Sequence, residues 1–310
     1  MDQVARKAVN AFATDAFTAL GASGLYHRAR PTYPVEAVSK LLAVLTGRKD
    51  ASIVEVGAGT GIFTECLVNN KTVSETVAKI TAIEPSSGMR EAFLRNPLFR
   101  TPDRKPRVDI FDGGFAEIPV KDGSVDIIVG AQCFHWSHPD YSSSVEEFAR
   151  ILKPEGTLGL IWNLEDRNAA GWISQIRGAY EKYEQNTPQF RNYWWKAMFE
   201  TSAYKACENF EDAEHFDFKV THPTTRQQVV ERVLSKSYIS TESLEEQQKI
   251  TRELEGILDV GQDRVWINEK EGTFASDSSQ RYLAQIGAHG SMGESKLGAA
   301  SDSVNSLSET

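Results

Sequence analysis

From residue 51 onward, short apolar runs alternate with longer amphipathic segments. "ASIVEVG" (51–57) has the character of a strand buried on both faces, and its glycines lead into a helix-like "IFTECLVNN". "KITAIEP" (79–85) predicts a second strand ended by Pro85, followed by a helix in "SSGMREAFLRN" with Ser86 or Ser87 as N-cap. "RVDIFDG" is a weaker third strand, "SVDIIVGAQ" a strongly apolar fourth and "TLGLIWN" a fifth. Between the last two, "PDYSSSVEEFARILKPEG" places Val145, Phe148, Ile151 and Leu152 on one helical face and stops at Pro154 and Gly156. Apolar strands separated by helices predict an α/β fold whose parallel sheet is covered on both faces.

After residue 165 the regularity loosens. Residues 169–210 are rich in aromatic side chains, "HFDFKV" (215–220) predicts a strand, and "TRQQVVERVLSKSYI" and "SLEEQQKITRELEGIL" predict helices. Beyond about Ser276 the chain turns to Ser, Gly, Ala and Glu, the composition of a tail without a core of its own.

Composition narrows the function. The 310 residues carry 34 Lys and Arg against 43 Asp and Glu, a net charge of −9 that disfavours a nucleic-acid partner. No apolar run approaches the roughly 18 residues of a membrane helix. The first twenty residues lack a signal-peptide core, and Asp2 and Asp15 argue against a transit peptide, so a cytoplasmic protein away from membranes is expected. Cys66, Cys133 and Cys207 are too scattered for a disulfide framework, and His27, His138, His215, His222 and His289 lack metal-ligand spacing; no metal is expected.

The stretch "IVEVGAGTGIF" (53–63) carries the chemistry. A glycine turn between strand and helix lets backbone N–H groups approach a ligand closely. The dinucleotide fingerprint requires G-x-G-x-x-G, but here Gly57 and Gly59 are followed by Gly61, with Ile62 in the fingerprint position. No Gly-Lys-Ser/Thr follows, which excludes a P-loop. Glu55 precedes the turn, and a carboxylate there repels a pyrophosphate while attracting an ammonium or sulfonium group. Glu84 ends the next strand, where it can accept hydrogen bonds from two ribose hydroxyls.

This combination resembles the class I S-adenosylmethionine (SAM)-dependent methyltransferases. Over roughly residues 24–166 it looks closest to the small-molecule branch (methyltransferase type 11) that includes trans-aconitate and quinone-pathway enzymes and fungal relatives. "YHRARPTYP" (26–34), "FAEIPVKDGSVDIIVGAQCFHW" and "ILKPEGTLGLIWN" carry the likeness, and "SKSYIS" (235–240) resembles the segment before that branch's last helix. "VWINEKEGTFASD" departs from the branch's usual last strand.

The resemblance implies a Rossmann-like, seven-stranded sheet with helices on both faces and an aromatic-rich cover. Residues 1–50 would be a helical lid segment, 51–166 the SAM-binding core, 167–274 the cover and completion of the sheet, and 275–310 a disordered tail. SAM would be held by Glu55, Gly57, Gly59, Gly61, Glu84, the backbone of Ala116 and Gln132, and Tyr26 and Arg30 of the lid, with S-adenosylhomocysteine as product. Phe134, Trp136, Asn163, Trp194 and Trp195 are candidates to wall the acceptor pocket, and His135 to orient or deprotonate the acceptor. Phe134 to Trp136 could equally be a packed aromatic turn, with His135 a hydrogen-bonded core residue. The expected activity is methyl transfer to a small organic acceptor, a carboxylate or another O, N, S or C nucleophile, with secondary metabolism one setting, by a monomer or homodimer. Two alternatives remain at this level: a protein or RNA methyltransferase, with the acidic balance counting against RNA and no N-P-P-Y-type tetrapeptide, typical of amide, adenine and peptide-glutamine methylation, after the fourth strand, and a catalytically silent SAM-binding regulatory protein.

Overall fold

The computed structural model describes residues 22–286 apart from 102–104, 186, 208–209, 211–212 and 262. Eight strands form one sheet: β1 (Ala51–Val56), β2 (Val77–Ile83), β3 (Arg107–Phe111), β4 (Val125–Ala131), β5 (Leu152–Glu165), β6 (Glu214–Thr224), β7 (Trp266–Asn268) and β8 (Thr273–Ile286). Their order is β3-β2-β1-β4-β5-β8-β6, with β7 paired to β8 off this path. The expectation of seven strands is corrected in one respect: the main parallel sheet has five, β1 to β5. β8 then runs antiparallel between β5 and β6.

The helices are α1 (Ala22–Ala29), α2 (Val35–Leu41), α3 (Ile62–Val68), α4 (Lys71–Thr76), α5 (Ser87–Arg95) and α6 (Tyr141–Ile151). They continue with α7 (Gly171–Glu181), α8 (Ser202–Ala206), α9 (Arg226–Leu234), α10 (Ser237–Ser240) and α11 (Leu244–Val260). Local chemistry fixes several starts. Ser86 caps α5 by accepting from the Met89 amide, Asp140 caps α6 through Ser143, and Thr225 forms a reciprocal capping box with Gln228 on α9.

The alternation of each strand divides the core between two faces. Val54, Val56, Ile128, Leu158, Leu160 and Trp162 pack with Tyr141, Val145, Phe148 and Ile151 of α6. Ile53, Ile127, Val129 and Ile161 pack on the opposite face with Ala37, Val38 and Leu41 of α2 and Phe63 and Leu67 of α3. Leu152, grouped by periodicity with the α6 face, is already the first residue of β5.

The segment expected to cover the substrate has a core of its own. Trp172, Ile173, Ile176 and Tyr180 of α7 meet Val229 and Val233 of α9, Ile250, Leu254 and Leu258 of α11, and Phe274. The boundary drawn at residue 275 for a disordered tail is corrected, because it falls inside β8, which pairs with β6 over residues 274–284 and with β5 over residues 278–286. Polar Ser, Asp and Gln side chains hid this strand, since its order comes from two ladders of backbone hydrogen bonds and not from its own apolar pattern. Residues 1–21 of the lid segment and 287–310 of the tail lie outside the described residues. Among those described, no helix is long and apolar enough to cross a membrane.

Candidate functional site

The strand order reverses between β1 and β4, and ligands of open α/β sheets bind beyond the carboxyl ends of the strands at such a point. Three cavities meet there, of about 700, 40 and 70 Å³. Gly57, Gly59 and Gly61, between β1 and α3, all have positive φ (63°, 58° and 92°). A Cβ on Gly57 would lie 2.5 Å from Cys133 Cβ, so only glycine lets the segment after β4 approach the turn. Gly57 and Gly59 line the large cavity. Gly61 heads α3 and faces Phe99, so its part is to pack the turn and not to touch the cavities.

Glu84, just beyond β2, is 7% exposed and lines the large cavity. Its Oε2 accepts the Gly59 amide (2.8 Å) and its Oε1 the Ser86 amide (2.9 Å), which ties the acid to the glycine turn. Burial pushes its pKa up, against the pull of these two N–H groups. Glu55 shares the face of β1 that looks toward α3, where its Oε2 accepts from the Thr64 hydroxyl (2.6 Å). It is 1% exposed, and burial pushes its pKa up to about 8. Ala116 and Glu117 line the far wall of the large cavity, and the neighbouring Ile118 amide anchors this loop by donating to Glu147 (2.6 Å).

Gln132 borders all three cavities, as does Tyr26. Gln132 is a non-glycine residue at φ 58°, held there by its amide on the Ile161 carbonyl (2.8 Å) and its Nε2 on the Asn163 carbonyl (2.6 Å). Arg30 lines the two smaller cavities, with its guanidinium 4.7 Å above the Tyr26 ring. Asn163 lines the same two, and Trp136 the large cavity and the 70 Å³ one.

Three expected pocket walls are placed elsewhere. Phe134 is fully buried against Phe115, Tyr141 and Phe148. Trp195 stacks on Trp162 (4.8 Å between rings) in the same core. Trp194 leans on His138 and lines none of these cavities. Burying the Phe134 and Trp195 rings fully removes more apolar area from water than half-exposing them along a pocket.

His135 does line the 70 Å³ cavity, but its Nδ1 accepts the indole N–H of Trp162 (3.2 Å). An indole only donates, so the imidazole proton sits on Nε2. Burial, and secondarily Arg30, push its pKa down to about 3. A neutral ring whose basic nitrogen is occupied is a hydrogen-bond donor, not a proton acceptor.

The rest of that cavity was not singled out from the sequence. Tyr180, Glu184, Gln189, Lys236 and Tyr238 come from the cover. Lys236 is 7% exposed, its Nζ 3.4 Å from Glu165 Oε1 and 4.2 Å above the Tyr180 ring, and burial pushes its pKa down to about 8. Burial opposes the ionisation of Glu165, but Arg232 and Lys236 outweigh it and hold the carboxyl well below its usual range. The one sequence signal was "SKSYIS", which contains Lys236 and Tyr238. No cluster of three or more potential metal ligands occurs among the described residues.

Residues 54–160 match a family model described as a methyltransferase domain. An uncharacterized methyltransferase-like protein of Schizosaccharomyces pombe is 32% identical over 174 residues, 56% of this chain and 62% of the relative. An uncharacterized methyltransferase of Mycobacterium tuberculosis is 36% identical over 155 residues, 50% of this chain and 55% of the relative. The matched region thus spans less than two thirds of these relatives. Among solved structures, a candidate type II methyltransferase of Anaeromyxobacter dehalogenans superposes with a TM-score of 0.56 at 15% identity, over 83% of this chain and 97% of that one. Phosphoethanolamine N-methyltransferase 2 of Haemonchus contortus, in complex with SAM, superposes with a TM-score of 0.51 at 11% identity, over 89% of this chain and 60% of that one. At these identities the two structures show a shared fold.

Proposed function

We propose that this chain, whose residues 54–160 match a methyltransferase domain, is a class I SAM-dependent methyltransferase and transfers the methyl group of SAM to a small organic acceptor. The observation that carries this reading is the pair of buried carboxylates flanking the glycine turn. Glu84 keeps acceptor capacity for ribose hydroxyls beyond the two amides it already receives. Glu55 puts a second acid on the far side of the turn, where a dinucleotide would bring its pyrophosphate and SAM brings cationic groups. The 700 Å³ cavity is of the size of small-molecule sites and would hold the adenosine portion against Met89 and the Ala116 loop.

SAM, when bound, would supply an activated methyl group, passing CH3 to the acceptor's electron pair while its sulfur kept the S–CH3 pair as the neutral thioether of S-adenosylhomocysteine. This chain's contribution is alignment and exclusion of water. Gln132, Trp136 and Asn163 stand where the large or the 40 Å³ cavity meets the 70 Å³ one, which we assign to the acceptor. His135 would orient the acceptor through its Nε2 hydrogen. A recess of about 70 Å³ lined by Tyr180 and Tyr238 favours a small molecule over a folded macromolecule.

Calorimetry with SAM, with NADH as the control ligand, tests the cofactor. Wild-type protein is expected to bind SAM and ignore NADH, and Glu84→Ala to bind at least about tenfold more weakly, as lost hydrogen bonds to a charged group imply. Binding of NADH, or no response to SAM from folded protein, would overturn the reading. Consumption of SAM over a panel of small acceptors then separates an enzyme from a silent SAM-binding protein.

A further inference from the structure

The 40 Å³ cavity beside the glycine turn brings together three residues from distant parts of the chain: Arg30 just after α1, Asn163 of β5 and Arg232 of α9. Each of these side chains also carries one buried polar atom without a hydrogen-bond partner: Arg30 Nε, Asn163 Oδ1 and Arg232 Nη1. The rest of each side chain is fixed. Arg30 Nη2 donates to the Ser235 carbonyl (3.1 Å), Arg232 Nε is ion-paired with Glu165, and Asn163 Nδ2 donates to the Thr32 carbonyl (3.5 Å). Buried polar groups are normally satisfied, so two donors and one acceptor left over on three residues that line one recess point to the ligand that would complete them. They match the carboxylate and ammonium of an α-amino acid.

The charges agree. Arg232 and Lys236 share Glu165, while Glu184 is taken by Arg191 and Glu181 by Arg167 and Arg177. Arg30 adds its charge near Lys236, so this corner holds three cations, two of them sharing Glu165, which favours an anion. On the other wall stands Glu55, suited to an ammonium.

We propose that Arg232 is a cofactor-binding residue. With Arg30 it receives the carboxylate at the methionyl end of SAM, while Asn163 Oδ1 and Glu55 receive the ammonium. This assignment rests on the proposed SAM reading and adds a residue from the cover to a site otherwise built by the sheet and the N-terminal segment. Arg232 is carried on α9 and ion-paired to Glu165 at the end of β5, so the cofactor would contact the cover as well as the sheet edge.

Two ligands isolate the amino-acid group. S-Adenosylhomocysteine and 5′-methylthioadenosine are both neutral-sulfur thioethers of the same nucleoside, and only the first has the carboxylate and ammonium. Calorimetric affinities for both are compared in wild type, Arg232→Gln and Arg232→Lys, with circular dichroism to verify folding. Arg232→Gln is expected to weaken S-adenosylhomocysteine about tenfold or more and to leave 5′-methylthioadenosine within about twofold. Arg232→Lys keeps the charge beside Glu165 and loses the fork, so a smaller, equally selective loss is expected. Unchanged affinity for S-adenosylhomocysteine, or equal weakening of both ligands, overturns the assignment while leaving the SAM reading intact. Failure of the wild type to bind either nucleoside overturns the SAM reading itself.

Discussion

The two ends of the site hold buried carboxylates in opposite ways. At the glycine turn, Glu55 and Glu84 are satisfied by a hydroxyl and by backbone amides, and neither side chain forms an ion pair among the described residues. Under the cover, Glu165 is shared by Arg232 and Lys236, with Tyr180 donating to its other oxygen (3.0 Å). The pKa directions follow: burial lifts Glu55 to about 8, whereas the two cations hold Glu165 well below its usual range. A carboxyl buried without a cation holds its proton, and a positively charged ligand group arriving beside it would stabilise the anion. A carboxylate outnumbered by cations leaves a vacancy for a negative group. The two ends are thus complementary to a dipolar ligand laid across the turn.

Removing Glu165 breaks the comparison most severely. Glu165→Ala leaves Arg232 and Lys236 buried without their shared partner, and a broken buried ion pair costs about 3–5 kcal/mol. Denaturant unfolding is expected to show that loss at neutral pH. A change below about 1 kcal/mol would mean that the cluster is solvated and that the contrast with Glu55 is false.

Glu55 supplies the next largest effect, with the opposite sign. Below its ordinary value near 4.5 the carboxyl is protonated in both folded and unfolded chains, and no stability depends on it. As pH rises from there to about 8, the unfolded chain loses its proton and the folded chain keeps it, so this group's contribution to stability is progressively withdrawn. Glu55→Gln should remove that slope, leaving the variant more stable than wild type at pH 8 by about 2–4 kcal/mol and equal to it near pH 4. Stability measured across that range decides. Parallel profiles for the two proteins would show that Glu55 ionises freely in the fold.

The same contrast explains what could be read without coordinates. The glycine-turn end is contiguous: Glu55, the three glycines and Glu84 lie within thirty residues on two successive strands. Strand ends in a parallel sheet fall on one edge, so local pattern places these residues together. The cover end draws Arg30, Asn163 and Glu165 of β5, Tyr180, Arg232 and Lys236 from distant parts of the chain, and only long-range packing unites them. Nothing in the spacing of Arg232 marks it among the other charges of an amphipathic helix. Aromatic pairs misled for a related reason: Phe134 and Trp195 are rich in apolar area wherever they sit, and sequence does not say which rings face a cavity. β8 was obscured because backbone pairing, rather than side-chain alternation, defines it.

The smallest expected effect concerns His135, which lies between the two ends and belongs electrostatically to neither. Its nearest influences are burial and Arg30, both opposing a positive charge, and its Nδ1 is already engaged by Trp162. The ring should therefore stay neutral throughout the physiological range, and its carbon-bound proton resonances should not move between pH 5 and pH 8. His135→Asn can keep an acceptor for the indole N–H while losing the Nε2 donor, so it should cost no more than about 1 kcal/mol of stability. It should lower turnover of an identified acceptor less than about tenfold, without shifting the pH profile. A proton titration with a midpoint near 6.5 would reverse this view. The imidazole would then be free to take a proton from the acceptor, and its bond to Trp162 would have to open first.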